Sequence, residues 1–194
     1  MIRKFSHEVA ALGLPGGPPP GAPVSEHDLA PLPPPAQRYL RFMGVVGRPR
    51  DWSLRLRGVG RFRMAPDRPW RSMDFLQYDT SLEIARIFHM RMPFLGPIPV
   101  QVRDTYIRGK GRMEGKLLDL FTVVDATGPE LDIGELVTYL NDTVIFAPSM
   151  LLNRQAAWGA VDEHAFDLSL TDLGNVVRGR VFVDDRGAMS SFHP

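Results

Sequence analysis

The chain has 194 residues, of which 44% are apolar, and it carries a formal net charge of +1 and no cysteine. That length suits one domain with a substantial core, whereas two domains would be cramped. The small net charge excludes a general attraction to nucleic acid or to anionic membranes. The lack of cysteine excludes disulfides, iron–sulfur clusters and thiolate zinc sites. Because no apolar run is long enough for a signal peptide or a membrane span, we expect a cytoplasmic protein with no integral membrane segment.

Residues 1–35 are predicted to form an N-terminal tail. Arg3 to Leu12 is compatible with a short helix, and the prolines and glycines between residues 13 and 23 indicate a stiff, solvated linker. Ser25 and Asp28 have the spacing of a capping box. A short N-terminal helix is predicted over residues 36–43 and ends at Gly44. We therefore expect a single domain over residues 36–194.

From Trp52 onward, apolar residues recur at every second position. Arginines alternate with Trp52, Leu54, Leu56, Phe62 and Met64, which predicts a strand with one buried face and one arginine face. A tight hairpin is predicted at Gly109-Lys110-Gly111. Further strands are predicted at residues 70–80, 82–92, 98–108, 112–124, 156–163, 164–171, 176–184 and 189–192.

Residues 132–146 carry the one long helical period of the chain. Asp132 is the predicted N-cap, with Glu135 completing an acidic capping box, and Pro148 ends the pattern. The predicted apolar stripe is Ile133, Leu136, Val137, Leu140 and Val144.

Successive antiparallel strands with one inserted helix indicate an α+β fold. We expect a strongly curved antiparallel sheet, a half-barrel-like meander, with the helix 132–146 across its concave face and the short N-terminal helix beside it. Several strands are apolar on both faces, among them residues 82–92 and 117–124. Since a sheet with one wet face needs only alternation, we expect the helix or a ligand to cover the second face there.

Most common catalytic arrangements are missing from the sequence. The five histidines are scattered without H-x-H or H-E-x-x-H spacing, so we expect no metal and no cofactor, and we interpret His89 as an exposed or hydrogen-bonded strand residue. No serine lies in a G-x-S-x-G elbow and no Ser-x-x-Lys occurs, which argues against a hydrolytic triad. The arginines at 55, 57, 61 and 63 are interpreted as a solvated face, because stacking platforms for nucleic acid need interleaved aromatic rings.

Two pairs of polar residues are candidates for acid–base chemistry. Asp104 and Tyr106 share one face of a predicted strand, and Glu135 and Tyr139 lie one turn apart on the predicted helix. They would form an acid–base site if the helix crosses that strand. An internal polar network is the favoured interpretation, so no catalytic residue is assigned beyond the candidates Asp104, Glu135 and Tyr139.

Three motifs resemble those of a bacterial family of unknown function. They are an "RYL" opening at residues 38–40, a "D-x-Y-x-x-G-x-G-x-M" hairpin at residues 104–113, and a "GEL-x-x-YL" helix at residues 134–140. The resemblance covers about four fifths of the chain in order and spacing. The strand order and the helical insertion are similar to the half-barrel of LolA-like lipoprotein carriers, which implies a curved sheet around an apolar cavity.

The leading hypothesis is a non-enzymatic module that binds an apolar small molecule or lipid between sheet and helix. Methionines adapt to ligands of variable shape, and the predicted ligand-binding residues are Phe88, Met90, Met92, Tyr106, Met113, Leu136, Tyr139 and Leu140. Two alternatives stay open. One is a small enzyme that uses Asp104, Tyr106, Glu135 and Tyr139 beside the cavity, and the other is a structural subunit that forms a homodimer through a sheet edge.

Overall fold

The computed structural model describes residues 1–63, 65–95 and 98–194, and of Leu95 only the backbone. Within these residues the strands form two antiparallel sheets, which confirms the predicted α+β class. Met64, which the alternating pattern assigned to the first strand, lies outside the described residues. The chain forms two compact units, one of Met1–Gly17 with Ser53–Glu135 and one of Pro18–Trp52 with Leu136–Pro194. The boundary predicted after residue 35 therefore falls within the second unit.

The first unit contains a six-stranded sheet in which each strand pairs with the next along the chain. This meander needs only short hairpins, because consecutive antiparallel strands can be joined directly. Its strands are β1 (Ser53–Phe62), β2 (Arg71–Thr80), β3 (Ala85–Leu95), β4 (Ile98–Ile107), β5 (Lys110–Leu117) and β6 (Phe121–Thr127).

Two turns set the register at the end of this meander. Arg108 and Gly109 both have positive φ, at 51° and 74°, and join β4 to β5 in a tight hairpin. The predicted hairpin is therefore present, but its turn lies one residue earlier than Gly109-Lys110-Gly111, because Lys110 and Gly111 belong to β5. Leu118 and Asp119 also have positive φ, at 53° and 61°. They split the predicted strand 112–124 into β5 and β6. Apolar periodicity does not reveal this reversal, because Leu117, Leu118, Leu120 and Phe121 continue the apolar run across it, although Asp119 is of a residue type that tolerates positive φ.

Helix α1 (Ile2–Ala11) packs on one face of the six-stranded sheet. The ring of Phe5 lies 6.1 Å from that of Tyr78 and 5.9 Å from that of His89, measured between centroids. Phe5 is 2% exposed and Val9 is 7% exposed. Residues 1–11 thus differ from the predicted solvated tail, because the apolar side of α1 covers this face. His89 is itself buried and lies 3.0 Å from the Gln101 side-chain oxygen.

Ion pairs join α1 to strands β4 and β5. Arg103, only 1% exposed, donates to Glu8 at 2.8 Å and to Glu114 at 3.0 Å, and Lys4 donates to Glu114 at 2.7 Å. A buried guanidinium needs several charged acceptors to offset its desolvation. The network therefore fixes α1 to this face, which we call the α1 face.

The second unit has its own core around a four-stranded sheet. It contains α2 (Glu26–Leu29), α3 (Pro34–Phe42) and a 3₁₀ helix (Pro148–Leu151). The ring of Tyr39 lies 5.7 Å from that of Phe166, and its hydroxyl donates to the carbonyl of Val144. The capping box at Ser25 and Asp28 is present as predicted. The sheet has the order β10-β9-β8-β7, with strands β7 (Ala156–Asp162), β8 (Ala165–Asp172), β9 (Asn175–Val183) and β10 (Met189–His193).

Helix α4 (Pro129–Phe146) starts three residues before the predicted N-cap. Proline at the first helical position is favourable because its missing N–H has no helical acceptor there. Asp132 is instead inside the helix, where it accepts hydrogen bonds from the Gly111 amide at 2.7 Å and from the Lys110 ammonium at 2.9 Å. The buried stripe is rotated from the predicted one, so that Ile133 is 38% exposed. The buried stripe in the structure consists of Asp132, Glu135, Leu136, Tyr139, Leu140, Thr143 and Val144.

Candidate functional site

An apolar cavity of about 650 Å³ lies on the face of the six-stranded sheet opposite the α1 face. Its volume falls within the range of roughly 300–1,000 Å³ that small-molecule sites occupy. All of its lining residues belong to strands of the first unit. They are Phe62, Met73, Arg86, Phe88, Met90, Met92, Phe94, Val100, Val102, Asp104, Met113, Gly115, Val123 and Val124.

Strand register explains why these side chains converge. Directly paired residues of antiparallel strands point to the same face. Met90 pairs with Val102, and Met92 pairs with Val100. Because β3 alternates strictly, Phe88 lies on that same face two residues before Met90. Met90, Met92 and Val100 form a buried cluster, which makes the floor of the cavity.

Two glycines of the six-stranded sheet leave space for neighbouring side chains. Gly115 pairs with Val102 on one side and Val124 on the other, and it places no side chain in the cavity. A Cβ on Gly58 would come within 2.6 Å of the Phe75 ring, so Phe75 lies directly over this glycine. A glycine inside a strand often marks such a close approach.

Exposed apolar side chains surround the mouth of the cavity. Phe62 is 38% exposed, Phe94 is 44% exposed, and Val123 is 54% exposed. Each also lines the cavity. The apolar surface therefore continues from the buried floor to solvent, as is typical of a site that admits an apolar partner.

Asp104 is a polar group in this apolar lining. It pairs with Phe88 on one side and Met113 on the other, both of which also line the cavity. Its Oδ1 atom is buried and finds no hydrogen-bond partner among the described residues. Burial raises the pKa of the Asp104 carboxyl, while the positive charges of Arg86 and Arg103 oppose that rise. An unsatisfied buried oxygen of this kind calls for an explanation, such as a ligand.

Arg86 is the cationic group in the lining, and it is held in place from two directions. Its Nη1 donates to Glu135 Oε2 at 2.8 Å, and both side chains are less than 10% exposed, at 7% and 8%. Its guanidinium carbon lies 5.1 Å from the centroid of the Phe88 ring. The Glu135 carboxylate offsets the charge of Arg86, so the cavity wall here is a neutral pair rather than an open cation site.

The predicted ligand-binding residues divide into two groups. Phe88, Met90, Met92 and Met113 line the cavity together with the candidate Asp104. Tyr106 shares the strand face with Asp104 but is fully buried and does not line the cavity in the described residues. Leu136, Tyr139 and Leu140 are buried residues of the second unit and are likewise outside the described lining. Glu135 is held in the ion pair with Arg86.

Sequence reasoning missed several lining residues that only strand pairing identifies. Val100 and Val102 lie four and two residues before Asp104 on β4 and therefore share its strand face. A period of two counted back from Asp104 would have identified both. Phe62, Met73, Val123 and Val124 come from three other strands. Their place depends on register, which local periodicity does not encode.

The second unit carries a groove of a different character. It lies on the four-stranded sheet and has a volume of about 670 Å³. Two of its charged groups already pair with each other, since Arg180 Nε donates to Asp167 Oδ1 at 2.7 Å. The residues that line it include Trp158, Asp167, Arg178, Arg180, Phe182 and His193. The mixed polar lining makes it a weaker candidate for an apolar ligand than the cavity of the first unit.

No helix of residues 1–63, 65–95 and 98–194 is both long and apolar enough to cross a membrane. Comparison with curated proteins and with solved structures gives no match. The family whose model matches residues 22–194 is described as "Family of unknown function (DUF6544)". This range includes the whole cavity, whereas α1 precedes it. The chain therefore belongs to this family of unknown function, DUF6544.

Proposed function

We propose that this protein binds an apolar small molecule or lipid in the cavity of the six-stranded sheet. The observation that carries the proposal is the set of apolar side chains converging on one sheet face around an accessible space of about 650 Å³. Burial of apolar ligand surface there is favourable by roughly 25 cal/mol per Å² before the costs of association.

The composition of the lining supports a ligand of variable shape. Among the described residues, four methionines line the cavity, at positions 73, 90, 92 and 113. Unbranched thioether side chains repack around different apolar partners at little cost. The likeness to lipoprotein carriers and the cytoplasmic location stay predictions, and both are compatible with such a site.

The arrangement favours binding over catalysis. Glu135, a candidate acid–base residue, is engaged by Arg86 in a buried ion pair. A carboxylate that pairs with a buried guanidinium is poorly suited to exchange protons, because protonation would remove a charge that stabilises that cation. Asp104 is thus the one catalytic candidate that lines the cavity, and a single carboxyl in an apolar wall fits ligand recognition well.

The test is native mass spectrometry of the purified protein, followed by titration with the uncharged fluorophore N-phenyl-1-naphthylamine. Gly115 lines the cavity, so Gly115→Met would place a side chain inside it. The backbone has room for this substitution, because the nearest atom to the new Cβ, Val124 Cβ, would lie 3.4 Å away. Gly159→Met is the matched control in β7, where a Cβ meets the nearest atom, of Asp167, at 3.7 Å. We expect Gly115→Met to weaken fluorophore binding roughly tenfold or more and Gly159→Met to leave it unchanged. Absence of fluorophore binding, or equal binding by both variants, contradicts the proposal.

A further inference from the structure

Asp104 presents a polar atom that the fold itself leaves unsatisfied. Its Oδ1 is buried, has no hydrogen-bond partner among the described residues, and belongs to a residue of the cavity lining. A buried polar atom without a partner costs roughly 1–3 kcal/mol. A ligand group that bonds to it would recover that cost.

We propose that the ligand of this cavity is an apolar molecule with one uncharged hydroxyl group, which hydrogen-bonds to Asp104 Oδ1. This inference rests on the proposed function, since it names the chemical class of the molecule that occupies the same cavity. The geometric basis is the position of one carboxyl oxygen, without a partner among the described residues, beside the apolar side chains of the cavity lining.

A hydroxyl group suits Asp104 in either protonation state. A carboxylate oxygen only accepts hydrogen bonds, whereas a protonated carboxyl both donates and accepts. A hydroxyl both donates and accepts, so it pairs with each form. A carbonyl or ether oxygen would pair only with the protonated carboxyl.

The surrounding charges disfavour an ionised head group. An ammonium group would approach the guanidinium of Arg86, which lines the same cavity, and like charges repel more strongly away from water. A carboxylate would face Asp104, while the charge of Arg86 is already balanced by Glu135 at 2.8 Å. Either ion would also lose its hydration among the surrounding methionines and valines.

The course of β3 gives the ligand a direction. Asp104 lies beside Phe88, and the cavity continues past Met90 and Met92 to Phe94 at the exposed mouth. A strand rises about 3.3 Å per residue, so Phe94 lies about 20 Å along the strand from Phe88. We therefore expect the hydroxyl group at the inner end, with an apolar chain or ring system extending toward solvent.

The experiment is displacement of bound N-phenyl-1-naphthylamine by three matched ligands. They are 1-decanol, its isomer 1-methoxynonane, and decylamine. The wild-type protein is compared with Asp104→Leu, which removes the polar anchor, and with Asp74→Leu, an exposed carboxylate of the same sheet. For wild type and Asp74→Leu, we expect the alcohol to bind roughly tenfold more tightly than the ether. For Asp104→Leu, we expect the alcohol to bind as weakly as the ether, while the affinity for the ether stays unchanged.

Each other outcome overturns the inference in a recognisable way. Equal binding of alcohol and ether by the wild type contradicts the preference for a hydroxyl group, and the proposed function then stands alone. Tightest binding of decylamine shows a cation site. No displacement by any ligand removes the proposed function as well. If Asp104→Leu does not fold, Asp104→Asn serves instead: its amide N–H also donates to an ether oxygen, so the preference for the alcohol over the ether should shrink.

Discussion

The Arg86 guanidinium and the Glu135 carboxylate form a buried ion pair, with 2.8 Å between Nη1 and Oε2. It connects strand β3 to the first turns of α4 and places a balanced charge at the cavity wall. Two charges removed from water in this way depend on each other, because either one alone would be strongly destabilising.

Glu135→Gln should therefore lower the free energy of unfolding by about 3–5 kcal/mol, since it removes the carboxylate charge that lies 2.8 Å from the buried Arg86 guanidinium. Urea denaturation followed by circular dichroism measures this change. Asp167→Asn is the control, because its ion pair with Arg180 is half-exposed and exposed pairs contribute little. Equal losses of unfolding free energy in the two variants would contradict a larger contribution from the buried Arg86–Glu135 pair.

The network under α1 predicts a specific acid sensitivity. The hydrogen bonds from Lys4 and Arg103 lower the pKa of Glu114 from 4.5 to about 2. An acid with a depressed pKa in the folded state stabilises the fold above its unfolded pKa, and this stabilisation is lost as the pH falls through the folded pKa. We expect about 3 kcal/mol to be lost between pH 4.5 and pH 2. In Glu114→Gln the loss over that range should be much smaller, as measured by thermal unfolding at each pH.

Asp104 should show the opposite dependence. Its pKa is raised above 3.8 by burial, against the charges of Arg86 and Arg103. A raised pKa means that the folded state favours the protonated carboxyl, so the contribution of Asp104 to stability is fully present below pH 3.8 and is lost as the pH rises through the folded pKa. Asp104→Asn should then gain stability relative to wild type as the pH rises. A difference in unfolding free energy that is constant with pH would contradict this environment for Asp104.

The docking of α4 against the β4–β5 hairpin depends on Gly111. A Cβ at this position would lie 2.5 Å from the carbonyl carbon of Leu131 and 2.8 Å from the amide nitrogen of Asp132. Gly111→Ala should destabilise the protein by more than about 1 kcal/mol, because both obstructing atoms are backbone. Gly134→Ala, at an open helical position, should raise stability by up to about 1 kcal/mol. The melting temperatures of the two variants should therefore move in opposite directions.

Phe5 is expected to anchor α1. Truncation of this 2%-exposed ring in Phe5→Ala removes its contacts with Tyr78 and His89 and should cost about 3–5 kcal/mol. Phe42→Ala is the matched control, since Phe42 is 50% exposed. Limited proteolysis should cleave near α1 faster in Phe5→Ala only. Unchanged cleavage would mean that the ion pairs of Arg103 and Lys4 hold α1 without the ring.

The sequence by itself determined the elements and much of the cavity floor. The period of two that places Phe88, Met90 and Met92 on one side of β3 is a local property of the pleated strand. The stop at Pro148 and the turn at Gly109 are equally local, because they depend on backbone chemistry of single residues. For that reason the α+β class is confirmed, and four of the residues predicted to bind a ligand line the cavity.

Only the tertiary structure decided which of these elements meet. Asp132 is of a residue type that favours the N-cap, but its carboxylate accepts a hydrogen bond from the amide of Gly111, in a hairpin 21 positions away. Phe5 lies in a segment that composition indicates to be a tail, yet it is buried against Tyr78. Asp104 and Glu135 are both acidic candidates in the sequence, but Glu135 is paired with a buried guanidinium, whereas Asp104 has an oxygen without a partner in the part of the chain that the structure describes. Strand register and long-range burial fix these differences, and neither has a local signal in the chain.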